Sequence, residues 1–368
     1  MNELPIPYAD LGKQTAEVKK ELLKAVEKVL DSGNYILGPE TTAFEKEFAK
    51  YCGAEYAAGI SNGTSSLVLL LKDIGLQAGD EVITAPNSFL ASASSIALAG
   101  AKPVFADIGA DLNIDPQQIE KAITSKTKAL MPVHLTGRPA KMKEILNIAE
   151  KHKLYVLEDA AQAVGAKLDG RVVGSIGDAA SFSLHPLKNL HAFGDGGMIS
   201  TNRRDVYEKI LKSRNHGFKN RNECEFWSSN SRLDEIQSAM LRIQLVHLNK
   251  WTDERRAMAF RYNEELKSCV EVPTEGPGEY CVYQTYVVQA ERRDELLKHM
   301  TDKKIDVKVH YPIPIHMQES AKYLGYKEND FPATMRASRR ILSLPLYPGL
   351  TTEQQDRIIN TIKTFYKG

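Results

Sequence analysis

The sequence has almost no net charge. Lys and Arg total 48 against 47 for Asp and Glu in 368 residues, a formal charge of +1. Nothing therefore draws the chain in bulk to nucleic acid or to an anionic membrane, and an anionic ligand has to be held locally. Cysteine is scarce as well: Cys52, Cys224, Cys269 and Cys281 form no CxxC pair and follow no secretory signal, which reads as reduced thiols in a cytoplasmic protein. Met-Asn-Glu-Leu-Pro does not resemble a targeting peptide. No stretch approaches the roughly 20 apolar residues that span a bilayer, so a soluble protein is expected, with neither a membrane nor a nucleic-acid partner and no metal. There is no internal repeat and no low-complexity tract. What the chain does have is 42% hydrophobic side chains, enough to bury cores for two domains. A large domain over 1–250 and a smaller one over 251–368 are expected.

Periodicity places the elements. Val18, Leu22, Leu23, Val26, Val29 and Leu30 share one helical face that ends at Gly33, and Phe44, Phe48 and Tyr51 mark a second helix closed by Gly53. Strands at Tyr56–Ile60, Asp80–Ala85, Pro103–Asp107 and Ala129–His134 alternate with helices at Pro116–Ile123, capped by Asp115, and at Met142–His152. That alternation predicts an α/β sheet. His134 is expected to be a satisfied core histidine rather than a ligand. Asn215–Ser231 is polar, irregular and longer than most connections, hence functional or mobile. A helix follows from Ser231 with Leu233, Ile236, Met240, Ile243 and Val246 on one face, and the remainder, ending in a helix over Thr352–Tyr366, reads as an α+β cap.

The stretch Leu154–Ser200 concentrates the chemistry. Leu154–Leu157 is an apolar run that stops at Glu158-Asp159, as a buried strand does where its carboxyl end opens into a cleft. A second strand puts Ser181 and Ser183 on one face, because alternate residues point the same way, and leads to Lys188. A third starts at the GDGG turn, Gly194–Gly197. A lysine for a Schiff base and an acid for a pyridinium nitrogen are the groups that pyridoxal 5'-phosphate (PLP) calls for. Ser61–Ser66, SNGTSS, sits between a strand and a helix and so offers backbone amides to an anion, although Ser and Thr cap helices without any ligand. Lys188 alone also reads as a solvated surface lysine, Asp159 as a structural carboxylate and Phe89 as core.

These segments resemble one family. EDAAQAVGA, SFSLHPLKNL, GDGG, NSRLDEIQSAM, YILGPETTAFEKEFAKYCG, SNGTSSLVLLL, GDEVITAPNSF and HYPIPIHMQ are similar, in order and separation, to the signature segments of the DegT/StrS PLP-dependent sugar aminotransferases. The resemblance implies a fold type I transferase: a large α/β domain with a mixed, mostly parallel sheet between helices, and a smaller C-terminal α+β domain. It implies Lys188 as Schiff-base lysine and acid/base, and Asp159 as partner of the ring nitrogen. Phe89 would stack on the ring and Gln162 contact it, while Gly63, Thr64, Ser65 and Ser183 hold the phosphate. Asn230 would reach the neighbouring subunit's site in a homodimer, and His185 and His316 would contact substrate. One departure stands out: Met335, in FPATM, replaces the glutamate that often follows FPV(A/T), which bears on the substrate rim. The expected reaction moves an amino group, most readily from L-glutamate, to C3 or C4 of a nucleotide-linked keto sugar. The alternatives are a transaminase of a keto-cyclitol or unactivated keto sugar, and a non-catalytic PLP-binding regulatory protein. A related dehydratase branch replaces the Schiff-base lysine by histidine; Lys188 argues for transamination.

Overall fold

The computed structural model describes residues 4–367. Local signals decide where its first helices begin and end. Helix α1 (Leu11–Ser32) starts where the Asp10 carboxylate accepts the Lys13 amide and stops at Gly33, whose φ of 65° is left-handed. Helix α2 (Pro39–Cys52) opens on proline and closes at Gly53 with φ 70°. Its first amides are capped from a distance, with Gly38 N–H and Thr41 N–H donating to the Glu235 carboxylate at 2.9 and 3.1 Å.

The central sheet has seven strands: β1 (Tyr56–Ile60), β2 (Glu81–Thr84), β3 (Lys102–Phe105), β4 (Thr127–Leu130), β5 (Tyr155–Asp159), β6 (Ala179–Ser183) and β7 (Gly197–Thr201). Their spatial order is β1-β7-β6-β5-β4-β2-β3, and only β7 runs against its neighbours. Both faces are covered, so consecutive residues feed different cores. Ala57, Ile83, Leu130, Val156 and Ala180 join one cluster together with Phe44, Phe48, Ile145 and Leu245. Ala58, Val82, Ala129, Leu157 and Ala179 join another with Leu70, Ile96 and Ile210. The first core lies under α2, α5 (Pro116–Ala122), α6 (Met142–His152) and α8 (Glu235–Leu266). The second lies under α3 (Gly63–Asp73), α4 (Ala91–Leu98) and α7 (Arg204–Ser213).

Helix α8 joins the two halves. Its 32 residues carry Leu241, Leu245 and Leu248 in the sheet core and Ala259, Tyr262 and Leu266 in a separate core with Tyr286, Val288, Leu296, Leu342 and Ile358. That core forms around the antiparallel pair β8 (Tyr286–Gln289) and β9 (Ile341–Leu344), with α9 (Arg293–Asp302) and α11 (Thr352–Lys367) packed on it. Between α9 and α11, α10 (Pro332–Arg340) is held at its start by the Asp107 carboxylate, which accepts the Ala333 and Thr334 amides at 2.9 Å each. Residue 250 thus falls inside a continuous helix rather than in a linker. Ile6 also belongs to the core around β8 and β9, through a bridge to Ile305. The polar segment 215–231 contains a short hairpin, Phe218–Asn220 against Glu223–Cys224, and leaves Trp227 96% exposed. No described helix is long and apolar enough to cross a membrane.

Candidate active site

The sheet register assembles the site. Asp159, the last residue of β5, pairs with Ser181 on β6, and Ser183 pairs with Gly197 on β7. A carboxylate, a hydroxyl strand and the GDGG turn therefore meet at one edge. Alternation along β5 sends its last two acids opposite ways. Glu158 goes into the protein, where its carboxylate accepts His134 Nε2–H at 2.9 Å and the amides of Gly174, Ile176 and Gly177 at 2.9, 2.9 and 2.7 Å. His134 Nδ1 accepts Ala140 N–H at 2.9 Å, which leaves the Nε2 proton for Glu158. His134 is fully buried with both ring nitrogens used, a core histidine as expected.

Asp159 instead faces a cavity of about 610 Å³. Its Oδ2 accepts Ser92 Oγ–H at 2.8 Å and its Oδ1 accepts Ala161 N–H at 3.2 Å, while Ser88 Oγ lies 2.8 Å from Ser92 Oγ. Burial pushes its pKa above the ordinary carboxylate value, and the bonds from Ser92 and Ala161 and the charge of Lys188 oppose that. Lys188 lines the same cavity from the loop after β6, with its amide donating to His185 O at 2.8 Å. Desolvation lowers its amine to about 8, against the pull of Asp159. A lysine meant to react with an aldehyde needs such a depressed value.

Gly63 and Thr64 line the cavity at the start of α3, opposite Ser183. The first amides of a helix have no intrahelical acceptor. Here the Ser65 amide donates to the Asn62 side chain at 2.8 Å, so that N–H is already taken by the Asn62 cap, and Ser65 is not among the lining residues. Close approach makes the glycines necessary: a Cβ at Gly63 would lie 2.8 Å from Ser183 Cβ, and one at Gly197 would lie 2.5 Å from the Asn62 carbonyl carbon. Phe89 is half exposed on the cavity wall, its ring centroid 5.9 Å from that of Tyr311. Gln162 accepts Thr136 N–H at 2.7 Å and donates to Tyr311 Oη at 3.4 Å.

His185 also lines the cavity. His316 does not: it is 2% exposed, edge-on to Phe331 with ring centroids 4.8 Å apart, and neither ring nitrogen has a partner. Asn230 is exposed, bridged to Asn215 and outside the lining of its own chain's cavity. Sequence reasoning passed over Tyr8, Ser88, Ser92, Arg255, His310 and Tyr311. Ser88 and Tyr311 lie within the recognisable segments APNSF and HYPIPIHMQ and were within reach. Ser92, Tyr8 and Arg255 carry no local signal.

The residues fit PLP. A lysine with a depressed proton affinity, a buried acid and a helix start kept bare by glycine supply the contacts for an aldehyde, a pyridine nitrogen and a phosphate.

Residues 16–363 match the DegT/DnrJ/EryC1/StrS aminotransferase family. The chain is 43% identical to a "Pleiotropic regulatory protein" of Geobacillus stearothermophilus, covering 98% of this chain and 99% of that protein. It is 39% identical to the dTDP-3-amino-3,4,6-trideoxy-alpha-D-glucose transaminase of Streptomyces venezuelae, with coverage of 97% and 95%. It is 40% identical to the dTDP-3-amino-3,6-dideoxy-alpha-D-galactopyranose transaminase of Aneurinibacillus thermoaerophilus, with coverage of 98% and 99%. Among solved structures, S. venezuelae DesV in complex with a ketimine intermediate superposes with a TM-score of 0.97 at 39% identity over 100% of both chains. The Bacillus subtilis protein NtdA with bound cofactor PMP superposes at 0.92 with 31% identity, over 100% of this chain and 87% of that one. The chain therefore belongs to the DegT/DnrJ/EryC1/StrS family and is a PLP-dependent sugar aminotransferase of fold type I.

Proposed function

We propose that this enzyme takes the amino group of L-glutamate and delivers it to carbon 3 of a nucleotide-linked keto sugar. The observation that carries the proposal is Lys188, with its amine lowered to about 8, in one cavity with the buried Asp159. When bound, PLP supplies the electron sink that lets a proton leave the amine-bearing carbon. Lys188 would anchor the cofactor through its Nζ, and its free amine would take up that proton and return it one position along. A positioned base of this kind contributes about 10²–10⁴-fold. Asp159, oriented by Ser92 and the Ala161 amide, holds a positive charge on the ring nitrogen. Gly63, Thr64 and Ser183 would receive the phosphate, with Asn62 capping the helix that presents it through the Ser65 amide. Phe89 covers one face of the ring, and Gln162 and Tyr311 border it. His185 meets substrate at the mouth.

The site is completed by a second copy, with Asn230 of each chain reaching the other's cavity. Asn230 is exposed and away from its own cavity, and Trp227, Val246 and Leu23 nearby in sequence or on α1 and α8 are 96%, 80% and 60% exposed. Carbon 3 is supported by relatives whose names specify 3-amino products. The name of the regulatory relative favours a second reading, a PLP-binding regulator without turnover. The complete lysine and acid pair speaks for catalysis.

The test is incubation of the purified protein with glutamate and a panel of nucleotide-linked 3-keto and 4-keto sugars, a keto-cyclitol and a free keto sugar, with products read by mass. A 3-amino nucleotide sugar is expected. Borohydride reduction and peptide mapping should leave the cofactor on Lys188. A protein that carries the cofactor yet aminates nothing in the panel refutes the catalytic reading.

A further inference from the structure

Among the described residues, Lys188 and Arg255 are the only lysine or arginine side chains that line the cavity. Arg255 lies on α8, is 7% exposed, and donates from Nη1 to Leu346 O at 2.8 Å. A guanidinium has five N–H donors, and no described carboxylate forms an ion pair with this one. Burial lowers its pKa to about 10, against the opposing charges of Tyr8 and Glu254. Asp10, on the same wall, accepts the Lys13 amide and forms no ion pair with Arg255. Two other donors at this wall, Gln14 Nε2 and Tyr347 Oη, are buried without a partner. A buried charge lacking a counterion is unfavourable unless something supplies the opposite sign.

The wall is connected to the reacting end. The Tyr8 ring, whose hydroxyl feels Arg255, lies 5.6 Å from the ring of His310, and His310 in turn feels the charge of Lys188. We propose that Arg255 is the anchor for a carboxylate of the amino-acid donor, holding it while the donor's amine reaches the Lys188 end of the cavity. The proposal rests on the transaminase reading above. An amino acid brings a carboxylate to a guanidinium that no described carboxylate pairs. A sugar diphosphate carries more negative charge than one guanidinium matches, and Lys188 is committed to the cofactor.

The test uses the full, PLP-loaded chain. Glutarate has the two carboxylates of glutamate and no amine. The wild type should bind it saturably and not bind its dimethyl ester. Arg255→Lys keeps a cation and a donor for Leu346 O, and should bind glutarate about 10- to 100-fold more weakly. Melting temperature and cofactor content are recorded for both proteins. The half-reactions are then followed separately by cofactor absorbance. A wild type that does not react with glutamate tells against transamination itself. If the wild type reacts, Arg255→Lys should raise the half-saturating glutamate concentration and leave that of the amino-sugar nucleotide unchanged. Equal glutamate dependence overturns the proposal, and so does a shift confined to the nucleotide sugar. If Arg255→Lys fails to fold, glutarate protection of Arg255 against phenylglyoxal in the wild type, read by peptide mapping, decides. Arg255 labelling that glutarate leaves unchanged overturns the proposal.

Discussion

Replacing Asp159 by Asn separates two effects of one carboxylate on the reacting lysine. In the wild type the Lys188 amine lies at about 8 instead of its ordinary 10.5, because desolvation outweighs the attraction of Asp159. At pH 7.5 that leaves about a quarter of the amine free, against about one part in a thousand at the ordinary value, a gain of roughly 200-fold in reactive amine. Removing the Asp159 charge removes the only opposing influence, so the Lys188 midpoint should move further down. Cofactor capture by the apoprotein then becomes less pH-dependent near neutrality, although turnover falls at least about 100-fold for want of the ring-nitrogen partner. The assay is the rate of PLP uptake by the apoprotein between pH 6.5 and 10.5 at fixed PLP, beside steady-state turnover. A wild-type midpoint near 10.5, or an upward move in Asp159→Asn, would refute the reasoning. Linkage gives an independent check. Because the folded value is the lower one, the unfolded amine binds the extra proton between pH 8 and 10.5. The burial cost, about 3 kcal/mol, is therefore fully present below pH 8 and disappears as pH rises through that window. Apoprotein stability to urea should rise across it, and Lys188→Met should flatten the rise.

Glu158→Gln should destabilise the fold by about 2–6 kcal/mol, because its NH₂ end would face His134 Nε2–H and the Gly174 amide, leaving two buried donors unpaired; denaturant unfolding reads this, and a loss under about 1 kcal/mol counts against the network. Gly63→Ala should weaken PLP binding and cost about 1–3 kcal/mol, since its Cβ would sit 2.8 Å from Ser183 Cβ and 3.1 Å from the Ser183 Cα; unchanged PLP affinity would show that the helix start does not hold the phosphate. Mixing inactive Lys188→Ala and inactive Asn230→Ala chains should restore activity through hybrid dimers with one intact site, and no recovery after verified subunit exchange tells against a shared site.

What the sequence disclosed follows from the range of the forces involved. Gly33, Gly53 and Asp115 act within a turn of their own helices, so the ends of α1, α2 and α5 were legible, as was the whole of Met142–His152. The strand alternation that aims Asp159 outward is equally local. Arg255 was not legible, because in TDERRAMAFRYNEEL it looks like any charge on a solvated helix. Its burial comes from Tyr8 and Leu346, far away in the chain. The same segment has no Gly or Pro to break it, and that absence was the sign that α8 runs on past residue 250. Val246 fits the apolar stripe drawn from Leu233, yet it is 80% exposed. A helix packed on different neighbours along its length does not keep one buried face: Leu241, Leu245 and Leu248 turn to the sheet, whereas Met240 and Trp251 turn to α1.

That continuous helix also bears on how the cavity works. Its first half packs on the sheet whose strand ends present Asp159 and Ser183, and its second half anchors the core that carries Tyr286, Leu344 and Leu346. Arg255 sits between the two, on a helix that runs without a break from one core to the other. Under the proposed reaction, a site that holds first an amino acid and then a larger sugar gains from a cation placed on such a continuous element. Under the same proposal the adaptable contacts fall to Phe89 and His185, which are exposed residues of the cavity lining.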